Sequence, residues 1–150
     1  MSSLFAFLHF IAAFALVGAL SAQLILLGQE ISASVIRRLR VADAVYGVSA
    51  TLVAAAGLLR VFYFEKGAAY YFFNAAFLAK LALFVLVGVL SIYPTLKFSS
   101  WHRAVKAGAA PQVEAQTLGA LRTTLRLELA GVALLVLCAS LMAHGVGGLH

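Results

Sequence analysis

Apolar residues occur along this chain in four long runs that short polar stretches separate. A helix needs about 20 apolar residues to cross a membrane, and each run is close to that length. The pattern predicts an all-α integral membrane protein, a four-helix transmembrane bundle that forms one domain over residues 1–150. The predicted spans cover about residues 4–27, 42–64, 69–92 and 127–145.

The polar stretches between the runs predict an up-down-up-down order of the helices. Helices that short connections join lie side by side and antiparallel. The first run lacks a basic N-terminal region and a small-residue cleavage site, so we interpret it as a retained span and not as a signal peptide. Tyr93 and Trp101 follow the third run, where aromatic side chains are expected to anchor a helix at the membrane surface.

Composition supports a membrane protein, since 64% of the residues are hydrophobic, 11% are charged and the mean hydropathy is +1.04. The net charge of +6 reflects basic residues that cluster after the first and third runs. Loops rich in Lys and Arg stay in the cytoplasm. We therefore expect a multi-pass protein of the bacterial inner membrane with both termini on the periplasmic side. The lipid bilayer is the expected partner of the basic loops, and nucleic acid is not.

Lys80 and His9 are ionisable residues inside predicted spans. A cation within the bilayer costs at least ~2.5 kcal/mol, so Lys80 is expected to face the bundle interior, as a candidate catalytic group or as a paired structural amine. His9 is a candidate axial ligand of haem iron, because imidazole often fills that role, or a histidine that is hydrogen-bonded to a neighbouring helix. Further polar residues are predicted to complete an outward-facing pocket with them: Arg60, Tyr70, Tyr71, Asn74 and His144.

A second group of charged residues falls at the cytoplasmic ends of the predicted spans. We expect ion pairs among them that lock the bundle, and for Glu128 a role in proton transfer is the alternative. The group comprises Glu30, Arg40, Asp43, Arg126 and Glu128.

Several segments carry a resemblance to a known family. They are Gly57 to Gly67, the Tyr70-Tyr71 pair with Asn74, Ala79-Lys80, and Leu90 to Thr95. With these segments the chain resembles, over nearly its full length, a family of small four-span bacterial membrane proteins that is defined only as a domain of unknown function. That resemblance implies membership and brings no activity.

More distantly, Leu8-His9 and Ala79-Lys80-Leu81 are similar to segments of HemJ-type protoporphyrinogen oxidases. The resemblance implies that His9 ligates haem b and that Lys80 acts on a porphyrin or its propionates. Leu78 departs from that family, which often has a further histidine at this place.

The leading hypothesis is a protein that binds haem b, or a related porphyrin-like or quinone-like ligand, in the outer half of the bundle for redox chemistry. Two alternatives stay open: a non-enzymatic accessory or assembly protein with structural polar residues, and a small oligomeric transporter subunit. A homo-oligomer or a membrane-protein partner is compatible with each, and whether the protein is an enzyme stays open. The chain has no phosphate-binding glycine loop, no HExxH segment and no nucleophile elbow.

Overall fold

A computed structural model describes residues 2–59 and 75–143 of the chain. Within these residues there are four helices and no strand, and all four helices are long and apolar enough to cross a membrane. This confirms the predicted all-α membrane bundle. The helices are α1 (Ser2–Leu27), α2 (Ala33–Leu59), α3 (Ala75–Lys106) and α4 (Ala115–Ala143).

Each helix packs against two neighbours, so that the contacts run from α1 to α2, α3, α4 and back to α1. Consecutive helices are antiparallel, as the up-down-up-down prediction requires. We call the end at which residues 28–32 and 107–114 connect the helices the basic end. The opposite end, where α1 begins and α4 ends, is the His9 end. The sides of the membrane on which the two ends lie stay a prediction.

Helix α2 begins well before the predicted span, at Ala33 instead of residue 42. Ser32 caps the helix, because its Oγ accepts a hydrogen bond from the backbone N–H of Val35 at 3.3 Å. Ile36 and Leu39 then face the core on one side of the first turns. The charged segment that hydropathy assigns to a connection is therefore amphipathic helix, and the actual connection is residues 28–32.

Helix α3 continues past Pro94 to Lys106, beyond the predicted limit at residue 92. Proline removes one backbone donor from a helix, yet Pro94 is fully buried in the bundle and the helix does not end there. Gly108 ends the segment in a left-handed conformation with φ 74°. The Ala109 N–H then bonds the Ala104 carbonyl at 3.0 Å, which is the bond that typifies this kind of helix end.

A buried cluster of apolar side chains lies in the half of the bundle nearer the basic end. Trp101 belongs to it, with 5% of its surface exposed and its ring centroid 6.1 Å from that of Phe98. The expectation that Trp101 anchors the membrane surface is therefore wrong. Because α3 continues as a helix, residues 98 and 101 fall on its inner face. The cluster also contains Leu16, Leu20, Leu27, Val35, Ile36, Leu39, Leu121 and Leu125.

Helices α3 and α4 approach closely beside Gly131, which is buried. A Cβ atom at this position would lie 2.5 Å from Cγ2 of Val87, so only glycine fits without a shift. On the outer faces, large apolar side chains such as Phe14 and Ile25 are mostly exposed. A surface of this kind suits contact with lipid tails.

Candidate functional site

The described helices bring five polar side chains together between α2, α3 and α4. Each helix supplies its residues at helical spacing, since Asp43 and Tyr46 are three residues apart and Ser91 and Thr95 four, so each pair shares one helix face. We call this group the central polar cluster. Its members are Asp43, Tyr46, Ser91, Thr95 and Glu128.

Asp43 is the best-satisfied member of the central polar cluster. Its Oδ2 accepts a hydrogen bond from Nη1 of Arg40 at 2.6 Å, and its Oδ1 accepts one from the Thr95 hydroxyl at 2.7 Å. Asp43 is 4% exposed, whereas the Arg40 side chain is 38% exposed. A buried carboxylate is thereby charge-balanced and hydrogen-bonded, and it joins α2 to α3.

Glu128 is buried deeper and is less well satisfied. It is 1% exposed, and no group in the described part of the chain has full hydrogen-bond geometry to either carboxylate oxygen. The Tyr46 hydroxyl lies within interaction range of this carboxylate and also contacts Ser91. Ser91 in turn donates a hydrogen bond to the Gly88 carbonyl at 2.7 Å. Tyr46 therefore connects α2 to both α3 and α4.

Gln23 is the buried polar residue of α1, with 1% of its surface exposed. Its Nε2 has no hydrogen-bond partner among the described residues. A buried amide without a partner is uncommon. Incompletely satisfied polar groups therefore lie on α1 as well as on α4.

Arg122 of α4 caps the end of α1. Its Nε and Nη2 donate hydrogen bonds of 3.2 and 2.6 Å to the carbonyl oxygen of Leu27, the last residue of that helix. A guanidinium suits this place, because a helix C-terminus has unsatisfied carbonyls and a partial negative charge. The contact fixes α4 against α1 at the basic end.

His9 and Lys80 lie in the other half of the bundle, near the His9 end. His9 is half-buried on α1, and its Cε1 would be 3.8 Å from a Cβ atom at Gly57 of α2. Its ring meets that of Phe10 edge to face, with centroids 6.2 Å apart. Lys80 is half-buried on α3, two turns or less from the described start of that helix. The two predicted ligand-binding residues are thus on different helices in the same half of the bundle.

The remaining residues predicted for the outward-facing pocket lie outside the described residues. Their part in such a pocket stays a prediction. They are Arg60, Tyr70, Tyr71, Asn74 and His144.

Among the residues predicted to form ion pairs, Arg40 and Asp43 are joined, as described above. Glu30 is exposed and forms no ion pair with a residue that the structure describes. Arg126 is also exposed and does not pair with Glu128. Residues two apart point to different sides of a helix, so the expectation for Arg126 and Glu128 is wrong.

Residues 2–59 and 75–143 contain no group of three His, Cys, Asp or Glu side chains that could hold a metal ion. His102 is near the end of α3, at the basic end, and is therefore far along the bundle from His9. Among the described residues, His9 is therefore the one histidine in its half of the bundle.

Sequence reasoning missed Tyr46, Ser91, Thr95 and Arg122 as members of a polar site. The sequence does indicate Tyr46, because it follows Asp43 by three residues and therefore lies on the same face of α2. Ser91 and Thr95 belong to the segment Leu90 to Thr95, which carries the family resemblance and has no charged residue that would indicate a polar site. The Arg122 contact had no signal, since it joins a side chain to the backbone of a helix 95 positions away.

The comparison with family models agrees with the four-helix membrane bundle described above. A family described as predicted membrane proteins, DUF2214, matches residues 1–147. The chain belongs to the DUF2214 family. This confirms the predicted membership in a family of membrane proteins of unknown function. No curated protein and no solved structure matches this DUF2214 member, and the more distant likeness to HemJ-type protoporphyrinogen oxidases is not shown.

Proposed function

We propose that this membrane protein binds haem b, or a related porphyrin-like or quinone-like ligand, in the half of the bundle near the His9 end, where it serves redox chemistry. The observation that carries the proposal is the packing of His9 against Gly57. The absence of a side chain at Gly57 leaves room beside an imidazole that lies within a membrane span.

The residues available in this half of the bundle suit such a ligand. His9 is half-buried, and an imidazole nitrogen is a common ligand of haem iron. Lys80 supplies a half-buried amine that can hold a propionate or another anionic group by charge pairing. A bound haem would supply one-electron chemistry, and these two side chains would orient it.

The way helix bundles bind ligands also supports the proposal. Ligand sites in helix bundles are formed between facing helices, and His9 of α1 and Gly57 of α2 face each other in this way.

The test is a pair of visible spectra of the full-length protein, purified in mild detergent from cells that are supplied with a haem precursor. We expect a Soret band in the oxidised and reduced wild type and its loss in His9→Ala. His102→Ala is the matched control, because His102 lies at the opposite end of the bundle, and it should retain the band. Colourless wild-type protein, or a band that His9→Ala leaves unchanged, would contradict haem binding through His9.

A non-enzymatic accessory or assembly role is the second candidate. It is favoured by the contacts that tie helices together, namely Arg40 and Thr95 with Asp43, and Arg122 with Leu27. In this case the buried polar residues fix the helix order, and an outer face or the basic end binds another membrane protein. A colourless protein that recovers the same membrane partner in wild type and in a His9→Ala, Lys80→Met double variant would favour this role.

A further inference from the structure

Glu128 is a buried carboxyl group that is not part of the proposed ligand site. It lies in α4, is 1% exposed, and has no full hydrogen bond to either oxygen from any described group. The proposed ligand site lies nearer the His9 end of the bundle. What Glu128 does is therefore a separate question.

The surroundings of Glu128 disfavour a permanently ionised carboxylate. Burying an ion is costly unless a counter-ion and hydrogen-bond donors compensate it. The nearest cation along its own helix, Arg126, is exposed. Arg40 is engaged by Asp43 at 2.6 Å.

The other helices bring no cation to Glu128 within the described residues. Helix α2 presents Asp43 and Tyr46, and the negative charge of Asp43 acts on Glu128. Helix α3 contributes the neutral hydroxyls Ser91 and Thr95, and the buried polar residue of α1 is the neutral Gln23. With one ionised carboxylate already in the cluster, the second is most stable as the neutral acid.

The same cluster connects Glu128 to the surface. Arg40 is 38% exposed and contacts Asp43, Asp43 lies one helical turn from Tyr46, and the Tyr46 hydroxyl contacts Glu128. Carboxyl and hydroxyl groups can accept and release protons, and chains of such groups mark proton paths in membrane proteins. The connection opens toward the basic end, because Arg40 is nearer than Asp43 to the start of α2.

We propose that Glu128 is an exchangeable proton site, which is loaded from the basic end of the bundle through Asp43 and Tyr46. One proton from the water at that end converts the Glu128 carboxylate to the carboxylic acid, and its release to the same water restores the carboxylate. No other reactant is required. This site is independent of any ligand near the His9 end.

Infrared difference spectra of the full-length protein in lipid bilayers, taken between alkaline and acid buffer, test the proposal. We expect a carbonyl band of a protonated carboxylic acid that shifts in heavy water and is lost in Glu128→Gln. Glu114→Gln is the matched control, because Glu114 is exposed, and it should leave the band in place. Tyr46→Phe should keep the band and shift its frequency, since the hydroxyl contact is removed.

A second variant leaves Glu128 itself intact. The chain has five acidic residues, of which four are glutamates: Glu30, Glu65, Glu114 and Glu128. In a protein with Gln at the first three, a carboxylic-acid band that moves on carboxyl-13C labelling of glutamate must come from Glu128. This variant keeps the proposal testable even where Glu128→Gln does not fold.

Three results would overturn the proposal. One is a band that persists in Glu128→Gln, and another is the absence of any labelled band when Glu128 is the only glutamate. The third is a change that sodium causes at constant pH and ionic strength, with choline as the reference cation, because it would make the cluster a metal-cation site.

Discussion

The Thr95 hydroxyl of α3 donates a hydrogen bond to Oδ1 of Asp43 in α2 at 2.7 Å, across 52 positions of the chain. Arg40 satisfies the other oxygen of the same carboxylate. Asp43 therefore accepts two hydrogen bonds. One comes from its own helix, and the other sets the register of α3 against α2.

Replacing Thr95 by Val should lower the free energy of unfolding by about 1–3 kcal/mol, because a hydrogen bond to a buried charged group is lost. Thr51→Val is the matched control, since the Thr51 hydroxyl is exposed and bonds the Gly47 carbonyl of its own helix. Denaturant titration in mixed micelles, followed by circular dichroism, measures both variants. Equal losses would mean that the Asp43 contact contributes no specific stability.

Arg122→Gln should destabilise the bundle by about 1–3 kcal/mol, because the carbonyl of Leu27 loses a charged donor with two hydrogen bonds. Arg126→Gln, four residues further along α4, removes an exposed arginine and should change stability by less than about 0.5 kcal/mol. The same unfolding measurement applies. Should Arg126→Gln prove the more harmful, the cap on α1 would not be what holds α4 in place.

Gly131→Ala should destabilise the protein by about 1–3 kcal/mol, because the added methyl group would meet Val87 at 2.5 Å and force α3 and α4 apart. A Cβ atom at Gly119 in the same helix has no atom of the described residues within 4 Å, apart from its own helix backbone and chain neighbours. Gly119→Ala should be neutral or stabilising by up to about 1 kcal/mol through helix propensity. Thermal melts in detergent compare the two, and a Gly131→Ala protein as stable as wild type would contradict the close approach.

Gly57→Leu should weaken or abolish the proposed haem spectrum, because a large side chain at this place would displace the His9 imidazole. Gly47→Leu is the control in the same helix, since no atom from another described element lies within 4 Å of a Cβ there. Visible spectra at matched protein concentration give the readout. If both variants bind haem like wild type, the space beside Gly57 is not part of the ligand site.

The fold can be predicted from the sequence, whereas the first and last residues of the helices cannot. Four apolar runs predict four spans, but hydropathy places the start of the second at residue 42 and the end of the third at residue 92. Helix α2 starts at Ala33 because an amphipathic segment with Ile36 and Leu39 on one face is stable against neighbouring helices even though it is rich in arginine. Hydropathy averages over a segment and loses this difference between its faces.

For a similar reason, the sequence indicates some residues of the candidate sites and not others. Lys80, His9 and Glu128 stand out in the sequence, because a charged or polar residue in an apolar run is expensive and rare. Closeness in sequence predicts a pair of Arg126 and Glu128, whereas the helix turns the two side chains to different sides. Tyr46 became a candidate only when the structure placed its hydroxyl between helices.

Composition and the lengths of the apolar runs are sufficient to predict a four-span membrane bundle, because about 20 apolar residues in a helix can cross a bilayer. Three contacts are visible only in the folded bundle, namely Thr95 with Asp43, Arg122 with the end of α1, and Tyr46 with Glu128. Those contacts depend on the rotation and register of helices that are distant in sequence. Both are set by close packing at places such as Gly131 and Val87, which no local pattern of residues encodes.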